Sequence, residues 1–397
     1  MPDIHTGRSH KMALVSYTPR NHYGSLQKAL ESMHNARRHS FDWRKGSGLE
    51  SWKTSARQFL LEEMHWDFDK VPLDAEVLET ADLSWYTREK VAFSSCGFYR
   101  LQGYFMKPKN VQKPLPAVLL LHDWGGPMFF GMDRVVNTGR ECLFLDHFRE
   151  MFHGGVYISE TFLKAGFAVL SVDAWHFGWR APRGVNGIPA DFDPYEMQKS
   201  YEGTMFYHEC EKLVRELLFT GIKQLTWAGT TWAGLNYNDD RAALEYLLEH
   251  PEIDSSKVFV TGLSGGAYRT NILCALDDRI RAGASIGWMT QAAEQQLYNF
   301  NGAINVFCML PGVWRELDVP DLAVMAMPKP MLFAIGTKDH LFPQETVDEA
   351  FASIRTAGEK YNSTTCLLRP EKIHCYDLEL QLQAADFFKQ FCGGSTN

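Results

Sequence analysis

Beyond residue 110, short and nearly continuous apolar runs alternate with amphipathic stretches of helical period. A short apolar run bounded by turn residues is typical of a strand buried on both faces, and its alternation with helices indicates a parallel sheet covered by helices. The predicted strands are 117–121, 168–172, 258–261, 282–286, 331–335 and 365–369. The helices predicted between them include 157–165, 239–249, 267–276, 345–357 and 378–391. This pattern predicts an α/β fold.

The chain upstream has a different texture. Residues 1–85 carry helical periodicity, over 24–38 and 49–63, and show no strand alternation. From Tyr86 onward, two alternating runs at 90–95 and 98–106 predict an antiparallel pair that precedes the parallel strands. We therefore expect an N-terminal helical extension over 1–85 and a sheet domain over 86–397.

Two long segments, near 178–237 and 291–319, interrupt the alternation of strands and helices. Both leave the side of the predicted sheet where the strands reach their carboxyl ends. Ligands of open α/β sheets bind at that edge. We therefore expect both segments to form walls of a pocket.

Composition narrows the choice of partners. The chain has 397 residues, of which 45% are hydrophobic and 22% charged, and 40 basic against 48 acidic residues give a net charge of −8. No basic block is present that could follow a nucleic-acid backbone. No apolar stretch approaches the roughly 18 to 20 residues of a membrane helix, and the first residues lack an apolar signal core, so we expect a cytoplasmic protein. The eight cysteines are scattered without a C-x-x-C pair, which argues against a zinc knuckle or a disulfide framework.

The run Gly262-Leu-Ser264-Gly-Gly266 follows a predicted strand and opens a predicted helix. Such a sharp strand-to-helix reversal needs residues without a Cβ beside it, and it exposes a serine in a strained conformation at a helix N-terminus. The pentapeptide is short enough to occur by chance. It indicates a nucleophile only if a base and an acid follow.

Both follow at the ends of the next predicted strands. Asp339 lies in the turn after 331–335, and His374 lies in the loop after 365–369. A serine hydroxyl needs a neutral imidazole to take its proton and usually a carboxylate to orient that imidazole. We expect Ser264, His374 and Asp339 to form a catalytic triad. His340 is the main rival base and Asp377 a weaker rival acid.

An oxyanion hole is expected from the first predicted parallel strand, which opens into His122-Asp-Trp-Gly-Gly126. Backbone N–H groups of Gly265 and of Trp124 or Asp123 would stabilise the oxyanion, with Trp124 the preferred donor. His122 itself is expected to hold the shape of the loop. An alternative arises because His-Asp-Trp-Gly also resembles the elbow of haloalkane dehalogenases, in which the aspartate is the nucleophile.

Several further motifs complete a resemblance to the dienelactone hydrolase-like α/β-hydrolases, and within them to the acetyl xylan esterase-like branch that carries a helical N-terminal extension. These are His122-Asp-Trp-Gly-Gly126, Ser171-Val-Asp-Ala-Trp-His-Phe-Gly-Trp-Arg180, 238–247, 253–266, 275–280, Leu310-Pro-Gly312, 318–323 and 328–332. The resemblance covers about residues 86–392 and implies hydrolysis of carboxylic esters without a metal or other cofactor. Dienelactone hydrolases proper use a cysteine nucleophile, so Ser264 favours simple esters over lactones.

Aromatic and cationic residues after two strand ends are candidates for the substrate pocket: Trp175, His176, Trp179, Arg180 and Trp288. An aromatic lining suits a sugar or an aryl group. Each of these residues could equally pack the two long segments onto the sheet. Asp173 is expected to stabilise its loop and Arg269, on the elbow helix, to be structural. Arg180 is expected to form an internal ion pair, with a substrate carboxylate as the alternative partner.

The sequence thus predicts a serine esterase that acts through an acyl-enzyme on a small-molecule or saccharide ester. The alternatives are an amidase or peptidase on the same scaffold, a haloalkane dehalogenase-like hydrolase, and a non-catalytic binding protein with a hydrolase fold. Nucleic-acid and membrane partners are not expected. Association into a homo-oligomer through the N-terminal helices is left open.

Overall fold

The computed structural model describes residues 26–45, 48–66, 68–140 and 142–393. Residues 1–25 of the predicted extension, including the start of the predicted helix 24–38, lie outside these ranges. Within them, nine strands form one sheet. In chain order, β1 to β9 are Glu76–Asp82, Tyr86–Cys96, Tyr99–Pro108, Leu115–Leu121, Ala168–Val172, Ile253–Leu263, Ala282–Ile286, Met331–Ala334 and Thr365–Leu368.

The strand order across the sheet is β1-β2-β3-β5-β4-β6-β7-β8-β9. The first three strands are antiparallel, β3 pairs antiparallel with β5, and the remaining pairs are parallel. The predicted antiparallel pair and the mostly parallel sheet are therefore confirmed. All carboxyl ends of β4 to β9 consequently meet at one edge.

Helices cover both faces of the sheet. Alternate residues of β4 show why, because Leu119 and Leu121 join one hydrophobic core while Val118 and Leu120 join the other. In the described ranges, α1 to α14 are Leu26–Asn35, Leu49–Glu63, Leu143–His153, Ile158–Lys164, Pro194–Met197, Tyr201–Ala228, Trp232–Glu249, Gly265–Leu276, Ala292–Gln295, Phe300–Ala303, Val313–Glu316, Asp321–Ala326, Gln344–Lys360 and Leu378–Lys389. None of these helices combines the length and the apolarity needed to cross a bilayer.

The prediction of a purely helical N-terminal region is wrong at its end. Residues Glu76–Asp82 form β1, which pairs antiparallel with β2 at the edge of the sheet. This strand is almost entirely exposed, so it carries no alternation of apolar and polar residues from which it could be predicted. Backbone hydrogen bonds to β2 define it instead.

The α2 helix packs on the sheet domain. Its buried face, which includes Trp52, Ala56 and Leu60, joins the larger core. Arg57 forms an ion pair of 2.6 Å with Asp278 and donates a hydrogen bond of 2.6 Å to the carbonyl of Ala275. The helix is therefore part of the globular body.

Candidate active site

Ser264 lies between the last residue of β6 and the first of α8, with φ 56° and ψ −114°. A Cβ on Gly262 would lie 2.6 Å from the backbone carbon of Gly266, and one on Gly266 would lie 2.0 Å from the carbonyl oxygen of Leu121. Only glycine fits at these two positions. The positive φ of a non-glycine residue is the strain that an exposed nucleophile on such a turn carries.

The acid and the imidazole are joined directly. Nδ1 of His374 lies 2.7 Å from Oδ2 of Asp339, whose side chain is fully buried. The other carboxylate oxygen of Asp339 accepts a hydrogen bond of 3.0 Å from the backbone N–H of Leu341. Both oxygens are thus engaged, which fixes the carboxylate relative to the ring.

Backbone hydrogen bonds hold the two loops that carry these residues. Lys338 N–H donates to the carbonyl of Lys372 at 3.0 Å, and Thr337 N–H donates to that of Pro370 at 2.8 Å. The loop after β8 is therefore tied to the loop after β9. This tie places an acid and a histidine, 35 positions apart in the chain, within hydrogen-bond distance.

The His374 ring reaches back across the end of β7, where the next residue is Gly287. A Cβ on Gly287 would lie 3.0 Å from Cε1 of His374. Gly287 N–H donates to the carbonyl of Ala334, and Ser264 N–H donates to that of Ile286. These two hydrogen bonds fix the elbow, the end of β7 and the end of β8 side by side.

Ser264 and His374 both line a cavity of about 500 Å³. Because Nδ1 of His374 faces Asp339, Nε2 is the nitrogen left to exchange a proton with a hydroxyl. The structure thus brings the three predicted residues to one site. This arrangement is capable of activating a serine nucleophile.

The rival residues are placed differently. Asp377 caps α14, where it accepts the N–H of Leu380 at 3.2 Å, and its other oxygen pairs with Lys372. The His340 side chain is exposed and is not among the residues that line the cavity.

The oxyanion loop is fixed through the carbonyl of Asp123. That carbonyl accepts hydrogen bonds from Nδ1 of His122 at 2.6 Å and from Arg134 at 3.1 Å. In a planar peptide the carbonyl and the following N–H point in opposite directions. Anchoring the Asp123 carbonyl therefore also sets the direction of the Trp124 N–H.

His122 is structural, as expected. Its Nε2 accepts the N–H of Ala174 at 3.0 Å, so the ring carries its proton on Nδ1. Burial, and then the positive charges of Arg269 and Arg134, hold the pKa of His122 well below its ordinary range. The ring is neutral and links the loop after β4 to the loop after β5.

Asp123 is unsuited to act as a nucleophile. Its carboxylate forms a fully buried ion pair of 2.6 Å with Arg134. Arg134 also donates a hydrogen bond of 2.6 Å to the carbonyl of Pro127, so one guanidinium links two positions of the same loop. This geometry gives no support to the dehalogenase-like alternative.

Of the five predicted pocket residues, Trp288 lines the cavity and the other four do not. His176 bonds to the carbonyl of Val214 at 2.9 Å, Arg180 pairs with Asp239 at 2.6 Å beneath Trp175, and Trp179 is half-exposed with Lys90 over its ring. The residues after β5 therefore do not form the predicted wall of the cavity, which other residues line. These four side chains contact other parts of the protein instead, which is the packing alternative that the sequence left open.

One cavity wall, α3, was not predicted from the sequence. This helix contributes Phe144, His147, Phe148, Met151 and Phe152. The spacing of the three phenylalanines, four residues apart, was the available signal, because it places them on one helix face. Of the two predicted pocket segments, 291–319 contributes Gly302, Ala303 and Asn305, whereas 178–237 contributes none of the lining residues and forms the long helix α6 instead.

Within the described residues, no group of three or more His, Cys, Asp or Glu side chains is arranged to hold a metal ion. The cysteines described are free, and six of the eight are buried.

No protein-family profile matches the chain. A Bacillus subtilis (strain 168) protein described as a hydrolase, YtaP, is 23% identical over 283 residues, which are 71% of this chain and 79% of that protein. A Bacteroides fragilis structure described as an acetyl xylan esterase has a TM-score of 0.62 at 17% identity and covers 89% of this chain and 84% of its own. The glucuronoyl esterase from Solibacter usitatus has a TM-score of 0.56 at 15% identity, over 87% of this chain and 94% of its own.

The two structural likenesses cover 89% and 87% of this chain. Together with the strand order, they show that the chain has the α/β-hydrolase fold. The fold predicted from the motifs is therefore confirmed.

Proposed function

We propose that this protein is a carboxylic ester hydrolase with Ser264 as nucleophile. One observation carries the proposal: a strained serine at the N-terminus of α8 shares a cavity with a histidine that is hydrogen-bonded to a buried aspartate. A bare helix N-terminus or an isolated histidine would not support it. The esterases and the hydrolase to which the chain is similar agree with this chemistry.

In the proposed reaction, Oγ of Ser264 attacks the ester carbonyl while Nε2 of His374 takes its proton. Asp339 holds the ring in the tautomer with the proton on Nδ1 and stabilises the imidazolium that forms. The proton then passes from Nε2 to the departing alkoxide, which leaves as the alcohol. Water, deprotonated by the same nitrogen, then attacks the acyl-serine; the bond between the acyl carbon and Oγ breaks, the acid is released, and Nε2 returns the proton to Oγ.

The tetrahedral oxyanion needs donors that are in place beforehand. Gly265 is the first residue of α8, so its N–H has no partner within the helix. The Trp124 N–H is the second donor, because its peptide is anchored through the Asp123 carbonyl. The ring of Trp124 lies against Gly265, where a Cβ would come within 2.3 Å of it. This contact keeps the two backbones close together.

A fluorophosphonate probe and a chromogenic ester test the proposal. Wild-type protein should be labelled on Ser264 and should hydrolyse p-nitrophenyl acetate. Ser264→Ala should lose labelling, and its kcat should fall by about 10⁴-fold or more.

A matched control is Ser285→Ala, which removes a buried hydroxyl from β7 that is not among the cavity residues. It should retain both labelling and turnover. Labelling that persists in Ser264→Ala, or an equal loss in Ser285→Ala, would overturn the assignment of the nucleophile.

A further inference from the structure

The cavity beside Ser264 is apolar along α3, the wall that was not predicted from the sequence. The α3 helix presents Phe144, Phe148 and Phe152 to it, together with Met151 one position before the last of these. Residues spaced by four share one face of a helix, so three aromatic rings and a thioether form a continuous wall. Tyr376 N–H donates to the carbonyl of Phe152 at 2.7 Å, which ties this wall to the loop of His374.

The rest of the cavity has the same character. Trp124, Leu263, Trp288, Ala303 and Leu341 line it around the elbow. Phe307 packs against Trp124 with ring centroids 4.7 Å apart and ring planes tilted by 52°, and Tyr268 contacts both tryptophans. The tryptophan walls are thus supported by a second layer of aromatic rings and are held in place.

Polar side chains in the lining are few, and three of them are already engaged. Asp123 is paired with Arg134, while Ser264 and His374 belong to the triad. This leaves His147, Asn305 and the indole N–H of Trp288 as side-chain groups that could bond to a hydroxyl-rich ligand. A sugar ring buried here would leave several hydroxyls without partners, each at a cost in binding free energy.

We infer that the substrate is an aliphatic or aryl ester whose apolar part is much larger than an acetyl group, rather than an ester of a sugar. The inference rests on the proposed function. A cavity of about 500 Å³ lies in the range typical of drug-sized ligands, roughly 300 to 1,000 Å³. It offers space and apolar surface that an acetyl group would leave unused. This substrate differs from those named for the structural relatives, with which the chain shares its fold.

The test compares acyl lengths. For p-nitrophenyl acetate, butyrate and hexanoate, kcat/KM should rise by about fourfold for each added methylene, which corresponds to about 0.8 kcal/mol of burial each. A parallel series of ethyl, butyl and hexyl acetates extends the alcohol side instead. A rise in either series supports the inference and identifies which side of the ester occupies the cavity. Acetylated xylose and the methyl ester of glucuronic acid should be cleaved at least tenfold more slowly than the best apolar ester.

Two variants test the wall at side chains that are partly exposed. Met151→Ser and Phe144→Ser change side chains that line the cavity but are not fully buried. Each should lower kcat/KM for the best long ester by about tenfold and for p-nitrophenyl acetate by less than twofold. Leu143→Ser is the matched control, because Leu143 is 87% exposed on the same helix and does not line the cavity. Its activity on both esters should remain as in the wild type.

The outcomes separate this inference from the proposed function. Flat profiles in both series, or a sugar ester preferred over every apolar ester, would overturn the substrate class while leaving the esterase intact. Equal losses on long and short esters in the α3 variants would also count against it. Absence of Ser264 labelling and of all ester cleavage would overturn the proposed function, and the inference would fall with it.

Discussion

Two strands lie two places from β6 in the sheet, β5 on one side and β8 on the other, and an aspartate follows each. Asp173 comes directly after β5, and Asp339 comes in the turn after β8. Both carboxylates are buried and both accept backbone N–H groups. Only one of them faces a histidine that lines the cavity with Ser264.

The strand that lies between each of these two strands and β6 accounts for the difference. It is β7 on the β8 side and β4 on the β5 side. On the β8 side, β7 is followed by Gly287, which has no side chain, and the ring of His374 lies across that position. On the β5 side, β4 is followed by His122, whose ring is itself bonded to the backbone on both sides. Asp173 is enclosed there by the N–H groups of Met132 and Trp179, at 2.7 and 2.8 Å. An acid at a strand end is thus free to orient a base only where its neighbouring strand leaves the space open.

The largest effect is expected from a matched pair of substitutions. In Asp339→Asn, the N–H of Leu341 holds the amide oxygen, so the amide nitrogen faces His374 and favours the wrong ring tautomer. We expect kcat to fall by about 10⁴-fold. Asp173→Asn should leave kcat within threefold but lower the free energy of unfolding by about 1–3 kcal/mol, because one N–H loses its acceptor. Turnover of p-nitrophenyl acetate and urea melts measure both. Similar losses of activity in the two variants would remove the distinction.

The open space at Gly287 can be tested by filling it. Gly287→Ala places a methyl group 3.0 Å from the His374 ring and should displace it, lowering kcat by about 10²-fold. The substitution also imposes strain, because φ is 75°. Gly155→Ala provides the control, since its φ is 76° and nothing lies within 4 Å of the added methyl group. It should be destabilised to a similar degree, by about 1 kcal/mol, without loss of kcat. Equal kcat in the two variants would contradict the proposed role of Gly287.

The buried acids on the β5 side should make stability depend on pH. Burial, and then the charge of Asp173, raises the pKa of Asp133 from 3.8 to about 7. A pKa raised on folding means that this contribution to stability is complete below about pH 4 and is lost as pH rises to about 7. Between pH 5 and 8 the wild type should lose about 3 kcal/mol through this group. Urea melts of Asp133→Asn should show that much less loss over the same interval. An identical pH dependence in both proteins would exclude this assignment.

The smallest effect is expected at the half-exposed aromatic residue after β5. Trp179→Ala removes a ring that lies 4.0 Å from Nζ of Lys90, so its stability should fall by less than about 1 kcal/mol. Because Trp179 does not line the cavity, kcat/KM for p-nitrophenyl hexanoate should stay within twofold of the wild type. A tenfold loss would instead place substrate at the end of β5.

Much of the fold follows from local pattern. The predicted strands 168–172 and 282–286 coincide with β5 and β7, and the predicted helix 49–63 coincides with α2. These segments are either apolar throughout or amphipathic with a clear helical period, so burial and pattern agree. The strand β1 escaped prediction because it is held by backbone pairing and is exposed along nearly its whole length.

The candidate site, like the fold, could be predicted from the sequence only in part. Glycines at 262 and 266, the serine between them, and an acid and a histidine after later strands were visible in the chain, because a nucleophile elbow demands residues without a Cβ at fixed offsets. The four residues expected to line the pocket after β5 were as plausible by type as the phenylalanines of α3. Side-chain type says which groups could line a pocket, but the contacts of Arg180 with Asp239 and of His176 with Val214 decide that these do not.

The amino-acid sequence by itself determined the layered α/β architecture, the elbow around Ser264 and the residues from which a triad could be assembled, because periodicity and turn chemistry are local properties. Only the tertiary structure decided which of two symmetrically placed acids meets the histidine, and that the cavity wall is the aromatic face of α3. Both depend on the space that one strand end leaves beside another. That space is set by packing between residues far apart in the chain, such as Gly287 and His374.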